Sequence, residues 1–251
     1  MRPDERNEHL MSDAIDDVDV APVLASAQPK SAGSQTLDRG IRALEMVAAA
    51  GGGLTVAEVA DRLDVHRTIA HRLLATLADH HLVARGPDGK FRAGGGLTAL
   101  AQGVQSTLRD TALPIMRELA DELESTVALL IREGDEAVAV MVVAPTNTPY
   151  HLAFRTGSRH PLGRGSAGIC LLAALPERAG ERPEVTRART QGFSVSKGEV
   201  EPGAHGLAVL IRQPGVTPGA CLNLITHRDD VMARAVPIML DGAARVSALV
   251  G

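Results

Sequence analysis

Residues 67–78 read RTIAHRLLATLA: two arginines, a histidine and two threonines, with no carboxylate among them. At about 100° per residue a helix splits this stretch into two arcs. Ile69, Ala70, Leu73, Leu74 and Leu77 fall on the apolar arc, and Arg67, Thr68, His71, Arg72 and Ala75 fall opposite. Two guanidiniums, an imidazole, a hydroxyl and one small side chain suit the major groove of a duplex. Arginine donates twice to guanine, threonine bonds a base edge or touches a thymine methyl, and alanine permits close approach. A carboxylate on that face would meet closely spaced phosphates, a repulsion that nothing nearby offsets. Taken alone, the same residues also describe an ordinary solvated face of an amphipathic helix.

A second stretch with chemical potential is GRGSAG, residues 163–168. It fits the glycine spacing of a dinucleotide site, but the following ERAGERPEVTRARTQ offers no second strand ending in an acid. It is not a hydrolase elbow, because Arg164 stands where the first glycine is required before Ser166. Small residues ahead of a helix leave backbone N–H groups uncovered, and the dipole there favours an anion. Ser166 as a simple helix cap is the structural alternative. Cys170, Cys221, His160, His205 and His227 lack the short paired spacing of structural zinc, so the two cysteines read as core thiols. His80 and His81 sit at a helix end, where positive charge is favoured, and have no catalytic partner in sequence.

The elements that must position these residues follow from periodicity and punctuation. Leu37, Ile41, Leu44 and Ala48 mark a first helix, stopped by GGG at 51–53. Thr55 and Glu58 form a capping-box signature for a second helix from Val56, with Val59, Ala60 and Leu63 on its buried face. After a break at DVH a third helix starts near Arg67. LVARGPDGKFRAG then reads as a β-hairpin around Pro-Asp-Gly, carrying Arg85 out and Lys90 and Arg92 back. Helix, capped helix, short break, helix and hairpin is the order of a winged helix-turn-helix, whose wing cations meet the DNA backbone.

A linker helix is expected over 97–108, within a connecting segment 96–110, and another helix is expected to begin at Pro114. Beyond it VALLIRE, AVAVMVV, YHLAFR, GFSVS, GLAVLI and GACLNLI read as strands, with helices over 166–175 and from Val231. The fold class is therefore α+β: a tail over 1–33, a DNA-binding domain over 34–95, the linker, and a mixed α/β domain over 111–251.

Composition narrows the function classes. The net charge is −4, and residues 1–30 alone hold seven Asp/Glu against three Lys/Arg, so the remainder balances. Those acidic residues lack periodicity and are expected to be a disordered tail. Only one tyrosine, three phenylalanines and no tryptophan occur, which counts against single-strand or RNA binding by base stacking. Two cysteines point to a reducing interior, and the cytoplasm is expected, since no membrane span or export signal is evident.

The stretch LDRGIRALEMVAAAGGGLTVAEVADRLDVHRTIAHRLLATLADHHLVARGPDGKFRAG resembles the DNA-binding domain of the IclR family of bacterial transcriptional regulators. PLGRGSAGICLLAALP, RTQGFSVSKGEVEPG and GLAVLI resemble that family's effector-binding domain, a GAF-like fold, so the likeness covers residues 36–251. The resemblance implies a ligand-responsive, sequence-specific regulator, expected to be a repressor, that reads operator DNA as a homodimer or a dimer of dimers. It places Ser166 and Ala167 at the effector pocket, with Ser196, Gly206 and Asn223 across from them, for a small and possibly acidic metabolite. It calls for no cofactor. Three departures stand out. Thr68-Ile69 replaces the usual Ser-Thr pair, which puts Ile69 among the DNA-facing positions. Asp64 replaces a turn glycine. The segment over 176–188 is short, which is expected to remove a helix and part of the pocket wall. Rival classes are an enzyme for a small acid with a winged appendage, and a winged-helix protein-interaction module.

Overall fold

The structure, a computed structural model, describes residues 33–146, 154–213 and 216–250. The acidic tail up to residue 32 and most of the strand expected over 150–155 lie outside the described residues. The chain divides into two compact units between Ala101 and Gln102.

In the first unit α1 (Gln35–Ala49), α2 (Val56–Leu63) and α3 (Arg67–Asp79) precede a hairpin of β1 (Val83–Arg85) and β2 (Phe91–Ala93), and α4 (Gly96–Gln102) follows. The Thr55 hydroxyl accepts from the Glu58 N–H at 3.2 Å, while the Glu58 carboxylate accepts from the Thr55 N–H at 2.7 Å. This reciprocal cap starts α2, and such caps contribute about 1 kcal/mol. Asp64 ends α2 at φ +53, a left-handed conformation that a β-carbon disfavours. The core gathers Ala43, Val47, Val59, Leu63, Ala70 and Leu74. Leu54 bridges to Phe91 through two backbone hydrogen bonds, tying the α1–α2 turn to the hairpin.

One expectation for this unit needs correction. Ile69, placed on the apolar arc, is 39% exposed. The line of closest packing under α3 runs through Ala70 and Leu74, with Leu73 and Leu77 half-buried, and Ile69 stands just outside it. The helix marked by Leu37, Ile41, Leu44 and Ala48 is present as α1, with Leu37, Ile41 and Ala48 exposed and Ala43 and Val47 buried.

The helix expected over 97–108 is two helices. α4 stops at Gln102, Gln105 takes φ +48, and α5 (Ser106–Leu123) begins after it. Pro114 lies inside α5 rather than at its start. A proline there removes one intrahelical bond. The apolar line Leu108, Ala112, Ile115, Met116 and Leu119 is buried across it, and that packing holds the helix together.

The second unit is built on a six-stranded antiparallel sheet, ordered β5-β4-β3-β8-β7-β6. Its strands are β3 (Thr126–Glu133), β4 (Glu136–Val143), β5 (Arg159–Pro161), β6 (Phe193–Lys197), β7 (His205–Gln213) and β8 (Val216–Thr226). Period-two alternation sorts the side chains between the faces. Val127, Leu129, Ile131, Leu207, Val209 and Leu222 pack with α5 and with α8 (Asp229–Val250). Ala128, Leu130, Ala208, Leu210 and Cys221 face the other way, toward α6 (Gly165–Ala173). The small residues on that second face let α6 lie close. α7 (Pro183–Gln191) packs Val185 and Ala188 onto Ile169 and Ala173 of α6. The short segment after α6 therefore does carry a helix, contrary to expectation. Among the described residues no helix is long and apolar enough to cross a membrane.

Candidate functional site

Residues capable of contacting a ligand gather in two places, one in each unit. On α3, Arg67, Thr68, His71 and Arg72 are all exposed, and Ala75 between them is half-buried. His66 caps the helix, its ring nitrogen accepting from the Thr68 N–H at 3.4 Å and lying 3.2 Å from the Thr68 hydroxyl. Among the described residues Arg67, His71 and Arg72 make no ion pair. The first carboxylate along α3 is Asp79, at its last residue.

The hairpin cations differ from one another. Arg85 lies 5.9 Å from the centroid of the Phe91 ring. Lys90 is half-buried, and its backbone N–H donates to Asp88 at 3.2 Å. Arg92 is engaged by Asp88 through two bonds, of 3.0 and 2.6 Å. Those bonds hold the Asp88 carboxyl well below its ordinary range. The expected trio of wing cations thus includes one whose charge is already answered within the hairpin.

The second place is a small recess of about 30 Å³ in the other unit, partly open to solvent. The five residues expected there, Ser166, Ala167, Ser196, Gly206 and Asn223, all line it. Register explains the convergence. Ser196 pairs with Gly206, Gly206 with Ile225, and Ala208 with Asn223 across β6, β7 and β8, so their side chains share the face over which α6 begins. A β-carbon at Gly206 would stand 2.2 Å from the Ser166 hydroxyl, which is why glycine serves there.

The backbone N–H groups at the start of α6 are covered, against expectation. The Gly165 N–H donates to the Glu199 carboxylate at 2.9 Å, and the Ser166 N–H donates to the Ser196 hydroxyl at 2.8 Å. The Ser166 hydroxyl is not a cap either: it donates to the Asn223 side-chain oxygen at 2.6 Å. Ser194 donates to the Ser166 carbonyl at 2.6 Å. Glu199 is clasped by both terminal nitrogens of Arg182 at 3.2 Å, and its carbonyl accepts from Arg164 at 2.7 Å. The Arg182 bond, with the Gly165 N–H, lowers the Glu199 carboxyl below its usual range.

Sequence reasoning missed Glu199, Arg182 and the role of His160. His160, on β5, lines the recess at 7% exposure, and neither ring nitrogen has a hydrogen-bond partner. Burial, reinforced by Arg164, pushes its pKa down to about 4, so the ring is neutral near pH 7. A signal for α7 was present: Pro183 at its first turn and Gly192, at φ +85, just past its end. Cys170 and Cys221 are both buried, and their contact together with burial raises the Cys221 thiol. The sheet is antiparallel, so GRGSAG does not open a parallel βαβ unit.

Comparison with known proteins fixes the family. The model of the IclR helix-turn-helix domain matches residues 36–87, and that of the bacterial transcriptional regulator IclR C-terminal domain matches residues 103–183. The chain belongs to the IclR family. Its relatives include the HTH-type transcriptional regulator Rv1719 of Mycobacterium tuberculosis, 31% identical over 205 residues, covering 73% of this chain and 79% of that one. The transcriptional repressor IclR of Escherichia coli is 28% identical over 161 residues, covering 62% and 58%. Among solved IclR structures, a homologue from Microbacterium hydrocarbonoxydans complexed with 4-hydroxybenzoate superposes with a TM-score of 0.72 at 25% identity, covering 85% of this chain and 98% of that one. The Thermotoga maritima IclR structure shares the fold, with a TM-score of 0.70 at 19% identity and coverage of 85% and 97%. As an IclR-family member the chain is a DNA-binding transcriptional regulator, and the exposed face of α3 lies in its helix-turn-helix.

Proposed function

We propose that this protein is a homodimeric repressor that reads a palindromic operator with α3 in the major groove and releases it in response to a small molecule held in the recess under α6. The observation that carries this reading is the face of Arg67, Thr68, His71 and Arg72, exposed on a helix whose opposite side is buried. Arg72 and Arg67 contact base edges, Thr68 and Ile69 set the local preference, and Arg85, Lys90 and Arg92 approach the backbone. Ile69 brings a methyl-bearing surface and no donor, which favours contact with a thymine methyl.

One winged unit makes a small polar interface, and pairing two on half-sites about 34 Å apart supplies affinity and symmetry together. Leu37, Ile41 and Leu100, exposed by 63%, 48% and 66%, support a further protein contact on the first unit. The convergence of Ser166, Ala167, Ser196, Gly206 and Asn223 on one recess supports the effector role. An effector changes operator affinity only if it binds the DNA-competent and released states unequally.

Fluorescence anisotropy with the duplex upstream of the chain's own gene, against a scrambled duplex of equal length, tests the reading. Preference for the upstream duplex by about a thousandfold or more is expected. Equal binding to both would contradict it, and no binding to either would favour a protein-interaction role.

A further inference from the structure

The recess differs from the anion site that its position under a helix start suggests. The Gly165 N–H, where an anionic ligand would dock, is occupied by the chain's own Glu199 carboxylate, held there by Arg182. The next N–H, of Ser166, is occupied by Ser196. Ser166 and Asn223 satisfy one another. The lining brings in a second carboxylate, Glu201, and no lysine or arginine. A ligand carboxylate entering this recess would find the Gly165 and Ser166 donors taken and Glu201 as a like charge, with Glu199 already answered by Arg182.

What remains without a partner is His160. Its two ring nitrogens are buried and unpartnered among the described residues, and a neutral imidazole offers one donor and one acceptor. Leaving such a group unsatisfied is costly, and the cost is recovered when a ligand supplies the missing bonds. Nε2 lies 3.8 Å from where a β-carbon on Gly165 would stand, and the Val200 methyl lies 2.5 Å from the same point. Val200, exposed on the turn between Gly198 and Gly203, both at positive φ, lines the recess beside His160. Phe154 and Ile225 supply apolar surface beside it.

Resting on the effector reading above, we infer that the ligand of this recess is an uncharged small molecule with a hydroxyl or amide group that both donates and accepts at His160, rather than a carboxylate. His160 selects the ligand, and Glu199 excludes acids from the helix start.

Matched amide and acid pairs on the same skeleton test this on the full-length protein. 4-Hydroxybenzamide with 4-hydroxybenzoate leads the series, followed by hydroxylated aliphatic pairs, read by calorimetry and by thermal shift. The expected result is that amides bind about tenfold or more tightly than their acids. His160→Leu should cost amide binding about tenfold while its melting temperature at pH 7 stays at or above that of the wild type. Glu199→Gln, which keeps an acceptor for the Gly165 N–H, should narrow the amide preference. Acids binding as tightly as amides, or amide binding indifferent to His160→Leu, would overturn the inference and leave the effector reading standing. If no member of either series binds, the recess is not a ligand site and both readings fall.

Discussion

The two functional regions handle their polar groups in opposite ways. On α3 the cationic and hydroxyl groups stand exposed, and among the described residues its two arginines and His71 have no carboxylate partner. Under α6 the polar groups largely pair with one another, through Ser166 with Asn223 and Ser196 and through Glu199 with Arg182, and among the described residues the buried His160 ring is left without a hydrogen-bond partner. A surface that reads an external polyanion cannot afford internal partners for its cations, because each would have to be broken before binding. A recess that holds a small molecule must instead satisfy buried groups when empty, and its specificity lies in the few it leaves open. The wing is intermediate: Arg92 is paired with Asp88, although it lies among the cations expected at the backbone.

This contrast can be broken from either side. The largest effect concerns the support of α3. Leu74→Ala is expected to lower unfolding free energy by about 2–5 kcal/mol, because Leu74 is fully buried. Ile69→Ala, on the neighbouring exposed position, should stay within about 0.5 kcal/mol in the same denaturant titration. Equal losses would return Ile69 to the core.

His160 gives the next effect. Its folded pKa of about 4 lies below the ordinary 6.5, so between those values the unfolded chain takes up a proton that the folded chain refuses. Stability contributed by the neutral buried ring is complete above that window and is lost as pH falls through it, by at most roughly 3 kcal/mol. Melting curves at pH 7 and pH 4.5 should therefore differ more for the wild type than for His160→Leu. The same slope in both would place the acid sensitivity elsewhere.

At the wing, Lys90→Ala should lower the slope of log affinity against log salt by about one, whatever the sequence of the duplex. Asp88→Asn, which releases Arg92, should raise that slope by a similar amount; an unchanged slope in both would put the wing off the DNA. The smallest effect sharpens the turn between α2 and α3. Asp64→Gly relieves a left-handed backbone and should stabilise the first unit by about 1 kcal/mol, read as a higher melting temperature.

Much of the first unit was legible because its signals are local. Thr55 and Glu58 sit three apart, the break at 64–66 is short, and Pro-Asp-Gly turns the hairpin, so each element announces itself in adjacent residues. The strands of the second unit were legible by alternation, and the lining residues came from resemblance rather than from spacing. What was hidden depends on long-range contact. Whether Ile69 or Ala70 is buried is decided by how α1 and α2 lie on α3, and Pro114 is tolerated inside α5 because the helix is pinned against the sheet. Glu199 is separated from Gly165 by more than thirty positions, so no local pattern announces that it fills the start of α6. β5 is three residues long, too short for a periodic signal.

The central claim is that α3 reads bases through its exposed arginines. Arg72→Ala, measured by anisotropy on operator and scrambled duplexes at one salt concentration, tests it most directly. The account predicts a loss of about 1–3 kcal/mol on the operator, roughly five- to 150-fold, with little change on the scrambled duplex. An equal loss on both would make Arg72 a phosphate contact and contradict the claim.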